Sequence, residues 1–182
     1  MREFGSVFCL PLTFNQKVEY ICPLNDQRMG QKDYISSFTV KATPLEVYDA
    51  ITRVTEWWTG NTEGKSTAAG DVFTVTFGDI HRTTQRIAEA KPGKRVVWHV
   101  TKCYLNFVKN NAEWEGTDIV FEIEPAKAGT RMTMTHVGLA GLECMDGCSK
   151  GWDFYIGSSL RKFISTGKGQ PDASKSKTST QK

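Results

Sequence analysis

Near residue 148 the hydrophobic pattern of this chain changes its period from two residues to about 3.6, and that change restricts the fold more than any other feature. From about residue 148 to residue 166 the apolar side chains recur at helical spacing and share one stripe. Before it, apolar and polar residues alternate as they do in strands with one buried face; these segments are 71–77, 81–89, 95–105, 117–124 and 130–137. The pattern predicts an α+β fold, in which an antiparallel sheet packs one face against a long C-terminal helix.

One more strand and a short helix precede this run. Residues 34–41 are rich in β-branched and aromatic side chains, which favours a strand. Thr43 can then cap a helix, Pro44 suits its first position, and Glu46 completes a capping box three residues after the cap. We therefore predict a helix over 43–53.

The distribution of charge argues against a nucleic-acid partner. The formal net charge is +3, but four lysines against one aspartate in the last eighteen residues account for all of it. A nucleic-acid-binding domain carries its basic excess on the folded face that meets the phosphates. The preceding 164 residues are neutral overall, so we predict no binding of nucleic acid.

Cysteine usage and hydropathy bear on the compartment. The five cysteines are odd in number and sparse for 182 residues, which argues against a disulfide framework and favours a reducing cytoplasm. No window of eighteen continuous apolar residues exists, so no membrane span is predicted. The first residues lack a small-residue cleavage site, so they do not resemble a signal peptide.

Composition divides the chain into three parts. Residues 29–166 form the predicted domain, and residues 1–28 are an N-terminal extension of uncertain role. Met29 stands directly before the first clear strand, so translation from Met1 and from Met29 both remain open. Residues 167–182 are mainly Ser, Thr, Lys, Gly and Gln, which cannot bury enough apolar surface to order themselves, and a disordered basic tail is predicted there.

Four short motifs occur in a fixed order: the helix start TPLEVYDAIT at 43–52, Trp57-Trp58, GTRMTMTHVG at 129–138, and KGW at 150–152. In this order they resemble the START-like SRPBCC superfamily, and more narrowly the family related to the C-terminal domain of the activator of the 90-kDa heat-shock-protein ATPase. The resemblance covers about 34–164. It implies a helix-grip fold, in which a curved antiparallel sheet surrounds the long C-terminal helix and leaves an apolar cavity between them.

Members of this family include binders of small ligands, cyclase-like or hydrolase-like enzymes, and modules that contact a chaperone. Because they share no catalytic set, the resemblance assigns no catalytic residue here. The chain departs from the plainest family form at residues 103–115, a longer connection that either covers the cavity or forms a hairpin.

Apolar residues on the inward faces are the candidate ligand contacts: Trp58, Phe73, Val75, Phe77, Trp98, Phe121, Met132, Met134, Trp152, Tyr155 and Ile156. They either line a cavity or simply fill the core, and the sequence supports both interpretations. Gly151 and Gly157 favour a cavity, because glycine inside a helix costs about 1 kcal/mol relative to alanine and leaves room, but close packing explains them too. We place Trp58 at the rim of the cavity and Trp152 in its wall.

His136 shares a face with Met132 and Met134. It is either a polar contact or proton carrier in the cavity, with Tyr155 as a second polar contact, or a hydrogen-bonded core histidine. His136 together with Cys144 and Cys148 misses the usual spacing of a zinc site and has no evident fourth ligand. We therefore predict neither a metal nor a cofactor.

These observations favour a protein that binds a small apolar or amphipathic molecule between the sheet and the C-terminal helix. One alternative is a cyclase- or dehydratase-like enzyme on the same scaffold, with His136 as acid or base. The other is a protein-interaction module that resembles a chaperone ATPase activator domain. Whether any reaction is catalysed is left open, and a monomer and a homodimer are both compatible with the sequence.

Overall fold

The structure, a computed structural model, describes residues 33–173. The strands are β1 (Tyr34–Val40), β2 (Thr62–Gly64), β3 (Val72–Phe77), β4 (His81–Lys91), β5 (Arg95–Leu105), β6 (Asp118–Ala126) and β7 (Gly129–His136). The helices are α1 (Pro44–Thr52), α2 (Met145–Phe154) and α3 (Arg161–Thr166), and a π-helical segment, Tyr155–Leu160, joins the last two into one continuous helix. The N-terminal extension 1–28, the alternative start at Met29 and the tail beyond residue 173 lie outside the described residues.

All seven strands form one antiparallel sheet, in the order β1-β7-β6-β5-β4-β3-β2. The sheet is curved, and the C-terminal helix packs against its inner face. The α+β helix-grip architecture predicted from the sequence is therefore confirmed. No helix within residues 33–173 has the length and apolar character needed to cross a membrane.

Inward-facing side chains alternate along the strands as predicted. On β7 the buried side chains are Thr130, Met132, Met134 and His136, and on β6 they are Ile119, Phe121 and Ile123. Strand β4 differs, because two of its inward residues, Thr83 and Gln85, are polar and fully buried. Register shifts at 84/85 and 87/89 interrupt the pairing of β4 with β5, and such bulges bend a strand.

The start of α1 matches the sequence prediction. The backbone N–H of Glu46 donates to Thr43 Oγ1 at 3.2 Å, and the N–H of Thr43 donates to Glu46 Oε2 at 2.7 Å, which is a complete capping box. Helix α1 ends at Thr52. The chain then turns through a short 3₁₀ segment, Val54–Glu56, and brings Trp57 and Trp58 into the core.

The structure corrects the prediction for residues 167–173, which we call the C-terminal strap. The N–H of Asp172 donates to the carbonyl of Trp58 at 3.0 Å, and the N–H of Gly60 donates to the carbonyl of Asp172 at 3.0 Å. A Cβ at Gly169 would lie 2.1 Å from the carbonyl oxygen of Glu56, so only glycine allows this approach. Backbone hydrogen bonds, rather than apolar burial, hold the strap in place, and amino-acid composition does not reveal such bonds.

Candidate functional site

A cavity of about 450 Å³ lies at one end of the helix–sheet interface. The turn between β3 and β4, the connection from β5 to β6, helix α2 and the C-terminal strap surround it. We call it the aromatic pocket; its lining residues are Trp58, Phe77, Gly78, Ile80, His81, Phe107, Trp114, Gly147, Cys148, Gly151, Trp152, Tyr155 and Asp172.

The five tryptophans of the chain form one connected set of rings, and three of them line the pocket. The ring centroids of Trp58 and Trp152 are 5.1 Å apart, and those of Trp152 and Trp114 are 5.8 Å apart, with interplanar angles of 26° and 14°. Trp57 and Trp98 stack on Trp58 from the core side, with centroids 5.9 Å and 5.5 Å away. The wall of the pocket is therefore held by packed rings and does not need a ligand to form.

Helix α2 leaves the pocket open because it presents glycines to it. Gly147 and Gly151 are four residues apart, so they lie on the same face of the helix. A Cβ at Gly151 would meet no heavy atom within 4 Å, and a Cβ at Gly147 would lie 3.5 Å from the Phe107 ring. The pocket thus stays open on this side because the two glycines carry no side chains that would fill it.

His136 is fully buried behind the tryptophans, and both of its ring nitrogens are engaged. Trp152 Nε1 donates to His136 Nδ1 at 3.1 Å, so the proton of the neutral ring is on Nε2, 3.0 Å from Thr117 Oγ1. Thr117 Oγ1 in turn donates to the carbonyl of Trp114 at 2.7 Å. Burial, with a smaller contribution from His81, lowers the pKa of His136 to about 3. This geometry favours the core-histidine interpretation and leaves no free nitrogen for proton transfer.

His81 is the histidine that lines the pocket, and the sequence analysis passed over it. Its ring lies 5.0 Å from that of Phe77 and 4.8 Å from that of Trp114, centroid to centroid. Burial lowers the pKa of His81 to about 4, so the ring is neutral at physiological pH. A signal was present in the sequence, because His81 and the inward-facing Ile87 are six positions apart on one strand, and an even spacing puts both side chains on the same face.

Tyr155 and Asp172 add polar groups to the lining. Burial, and then the negative charge of Asp172, raise the pKa of Tyr155 to about 12, so its phenol stays protonated. The described part of the chain contributes no lysine and no arginine to the pocket lining. The site is thus apolar and aromatic, with a neutral imidazole, a phenol and one carboxylate.

Four of the predicted contact residues line the pocket: Trp58, Phe77, Trp152 and Tyr155. The others do not line it and are packed in the core with at most 1% of their surface exposed; they are Phe73, Val75, Trp98, Phe121, Met132, Met134 and Ile156. The rings of Trp98 and Phe121, with centroids 4.6 Å apart, fill the space where the cavity was expected. The predicted contact residues therefore fall into two groups, one at the pocket and one in the packed core.

The connection from β5 to β6 supplies residues that the sequence analysis missed. Phe107 and Trp114 from this segment line the pocket, so the long loop between the paired strands β5 and β6 forms part of the pocket wall. Phe107 is half-exposed at the mouth, whereas Trp114 is buried and its Nε1 donates to Cys144 Sγ at 3.2 Å. Trp114 could have been identified as an apolar residue in a polar segment.

Cys144 lies just before α2, and Cys148 lies in the first turns of this helix. The structure records both as free thiols, together with Cys103. Across residues 33–173, no cluster of three or more His, Cys, Asp or Glu side chains is arranged to hold a metal ion.

Comparison with known proteins identifies relatives of the domain. Residues 41–165 match the model of the family described as Activator of Hsp90 ATPase homolog 1-like protein. No curated protein matches the chain in sequence.

Solved structures show the same fold. The solution structure of an Aha1 dimer from Colwellia psychrerythraea is 24% identical, with a TM-score of 0.62, and the match covers 76% of this chain and 99% of that chain. A Mesorhizobium loti protein is 15% identical, with a TM-score of 0.58 and coverage of 73% and 96%. DynU16, described as a putative protein in the dynemicin biosynthetic locus, is 18% identical, with a TM-score of 0.56 and coverage of 75% and 48%.

These identities are low enough that the likeness establishes the fold alone. The family model, in contrast, spans more than half of the chain, and the resemblance found in the sequence motifs points to the same family. The chain therefore belongs to the Activator of Hsp90 ATPase homolog 1-like family of the START-like SRPBCC superfamily.

Proposed function

We propose that this protein binds a small, largely apolar molecule in the aromatic pocket. The observation that carries the proposal is the pocket itself, because a volume of about 450 Å³ with an aromatic lining and a few polar groups is typical of small-molecule sites. Burial of apolar ligand surface at roughly 25 cal/mol per Å² would supply most of the affinity. The stacked tryptophans support this proposal, because a preformed wall spares the ligand the cost of ordering side chains.

The two other functions suggested by the sequence have less support. An interaction module of the chaperone-activator type needs no internal cavity, and this chain maintains one with two glycines in α2. An enzyme that uses His136 as acid or base would need a free ring nitrogen, and both nitrogens are hydrogen-bonded to protein groups. Ligand binding requires neither an interaction surface nor a proton carrier.

The experiment uses Nile red, a neutral dye whose emission reports an apolar environment. We expect the wild-type protein to bind it and the Gly151→Leu variant to bind at least about tenfold more weakly, because the leucine side chain occupies the pocket. Gly157→Leu is the matched control: its Cβ also meets nothing within 4 Å, but Gly157 lies on the exposed side of the same helix. Equal affinity of the three proteins for Nile red, or no binding to wild type, would refute the proposal.

Native mass spectrometry of protein purified from its own cells complements the dye. An extra mass that disappears on denaturation would identify the natural ligand, and the intact mass would distinguish a monomer from a homodimer. We also propose a reducing cytoplasm as the location, supported by the free thiols of Cys103, Cys144 and Cys148.

A further inference from the structure

We infer that the aromatic pocket selects flat aromatic molecules that carry an O–H or N–H donor and no negative charge, with His81 Nδ1 accepting the hydrogen bond. The inference rests on the proposed function and names the chemistry of the ligand. It follows from a chain of hydrogen bonds on the inward face of β4, which fixes the position of the imidazole proton.

The series of hydrogen bonds begins at Gln85, which is fully buried. One orientation of its amide satisfies both ends: the nitrogen donates to the carbonyls of Phe73 and Thr83, at 3.2 Å and 3.3 Å, and the oxygen accepts from Thr83 Oγ1 at 2.6 Å. A hydroxyl has a single hydrogen, so Thr83 Oγ1 must act as an acceptor towards its other neighbour. That neighbour is His81 Nε2, at 3.1 Å.

His81 therefore carries its proton on Nε2. A neutral imidazole has only one N–H, so Nδ1 presents a lone pair. Within residues 33–173 no side chain or backbone group is hydrogen-bonded to Nδ1. Addition of a second proton is opposed by burial of the ring, which lowers the pKa of His81. The pocket thus contains an acceptor that a ligand can satisfy with a donor, whereas a ligand oxygen placed there would face a second lone pair.

The charges of the lining exclude anionic ligands. Among the lining side chains that belong to residues 33–173, Asp172 is the only acidic one, and none is a lysine or an arginine. A ligand carboxylate or phosphate would therefore be desolvated without a counter-charge, which is strongly unfavourable. A neutral ligand avoids this cost.

The shape of the lining favours flat rings. The ring plane of Trp152 is inclined by 26° to that of Trp58 and by 14° to that of Trp114. The lining also includes Phe77 and Tyr155, whose ring centroids are 5.5 Å apart. Aromatic rings pack best on other rings in offset or edge-to-face contacts. A fused two- or three-ring molecule therefore matches the wall better than a flexible aliphatic chain.

Displacement of Nile red tests the donor requirement with three ligands that share the naphthalene ring: β-naphthol, its methyl ether, and β-naphthoate. We expect β-naphthol to bind roughly tenfold more tightly than the ether, which is the usual worth of one buried hydrogen bond. The naphthoate should bind most weakly. In His81→Phe the preference for naphthol over ether should disappear, while the ether still binds, because phenylalanine keeps the ring and removes only the acceptor.

A second variant tests the position of the proton. Thr83→Val keeps the shape of the side chain and removes the group that accepts from His81 Nε2, so the proton is free to move to Nδ1 and the preference for naphthol should fall several-fold. Nitrogen NMR of the imidazole, which distinguishes protonated from unprotonated nitrogens, should show protonation at Nε2 in wild type and a mixture in Thr83→Val.

The outcomes separate the two proposals. A wild-type imidazole protonated at Nδ1, or equal affinities for naphthol and its ether, overturns the donor requirement and leaves ligand binding intact. Nile red is itself a fused aromatic molecule without a donor, so its binding without displacement by any naphthalene overturns the preference for donor-bearing aromatic ligands and leaves ligand binding intact. If neither the dye nor the naphthalenes bind or alter tryptophan fluorescence, both proposals fail.

Discussion

The continuous C-terminal helix meets two different regions of the sheet. Its second half presents large apolar side chains, Ile156, Leu160 and Phe163, to a core without space, which we call the packed region. Its first half presents Gly147 and Gly151 to the aromatic pocket. The sheet contributes aromatic side chains to both regions. The difference between a filled and an open region therefore comes from the side chains of the helix.

This difference shows that the cavity is a local property of α2 and not of the fold as a whole. Protein interiors pack at nearly crystalline density, so an open volume persists only where side chains are missing and the surrounding groups cannot collapse. Here the stacked tryptophans resist collapse, because each ring is already in contact with its neighbours.

Truncation of one phenylalanine in each region should give the largest difference. Phe121→Ala opens a cavity in the packed region, and we expect it to lower the free energy of unfolding by about 3–5 kcal/mol. Phe77 borders a cavity that already exists, so its ring has fewer packing contacts to lose than that of Phe121. We expect Phe77→Ala to lower the free energy of unfolding by about 1–3 kcal/mol.

Urea denaturation of both variants measures these values. The exposed Phe107 serves as a control, because Phe107→Ala removes a half-exposed ring and should cost less than either buried substitution. Equal losses for Phe121→Ala and Phe77→Ala would show that the two regions do not differ in packing.

Acid should destabilise the fold, because the two imidazoles at and behind the pocket are held in their neutral forms. Burial lowers the pKa of His81 to about 4 and of His136 to about 3, below the value of about 6.5 in the unfolded chain. Between about pH 6.5 and 4.5 the unfolded state takes up protons that the folded state does not. The free energy of unfolding should therefore fall with decreasing pH, by up to about 1.4 kcal/mol per pH unit for each histidine.

Urea denaturation at several pH values checks this slope, and His81→Phe should halve it because one of the two groups is removed. The acidic side chains with lowered pKa, Glu46, Asp71 and Glu89, act in the same direction but only below about pH 4.5. A stability that stays constant from pH 6.5 to 4.5 would mean that the two imidazoles are not buried in their neutral forms.

The fold could be predicted from the sequence because the buried faces repeat at regular spacing. The inward residues of β6 and β7 alternate without interruption, and the Thr43 capping box begins α1 as its sequence indicates. The C-terminal strap was missed because backbone groups hold it, and the side-chain composition does not record backbone hydrogen bonds.

The site was only partly predictable. Alternation identifies which side chains face inward, but it does not show which of them pack against one another and which border a cavity. Trp98 and Trp152 have the same character in the sequence, yet the first is enclosed by other rings and the second borders a cavity. His81 was overlooked because β4 is mostly polar, and its inward residues Thr83 and Gln85 look like surface residues until their hydrogen bonds are known.

The C-terminal strap provides a smaller test at the pocket. Gly169→Ala places a methyl group against the carbonyl of Glu56, so the strap must detach from the Trp57–Trp58 segment. We expect the free energy of unfolding to fall by about 1–2 kcal/mol through the lost hydrogen bonds, and the affinity for Nile red to fall several-fold because the strap carries Asp172 into the pocket lining. Hydrogen exchange should show faster exchange of the Gly60 and Asp172 amides.

Lys168→Ala is the control for the strap, because this exposed side chain belongs to the same segment. It should leave both amides protected. Unchanged exchange in Gly169→Ala would indicate that the strap does not depend on the close approach at residue 169.

The smallest expected effect separates the two roles that a helical glycine can have. Gly147→Ala should raise the free energy of unfolding by up to about 1 kcal/mol, because alanine favours the helix and its methyl group makes only an ordinary contact with Phe107. The same methyl group narrows the pocket, so the affinity for Nile red should fall about two- to threefold. Gly157→Ala should give a similar gain in stability with unchanged affinity, because residue 157 lies away from the pocket. Loss of stability in Gly147→Ala would mean that the backbone requires this glycine; a gain in stability coupled to weaker binding would mean that the helix gives up stability to keep the pocket open.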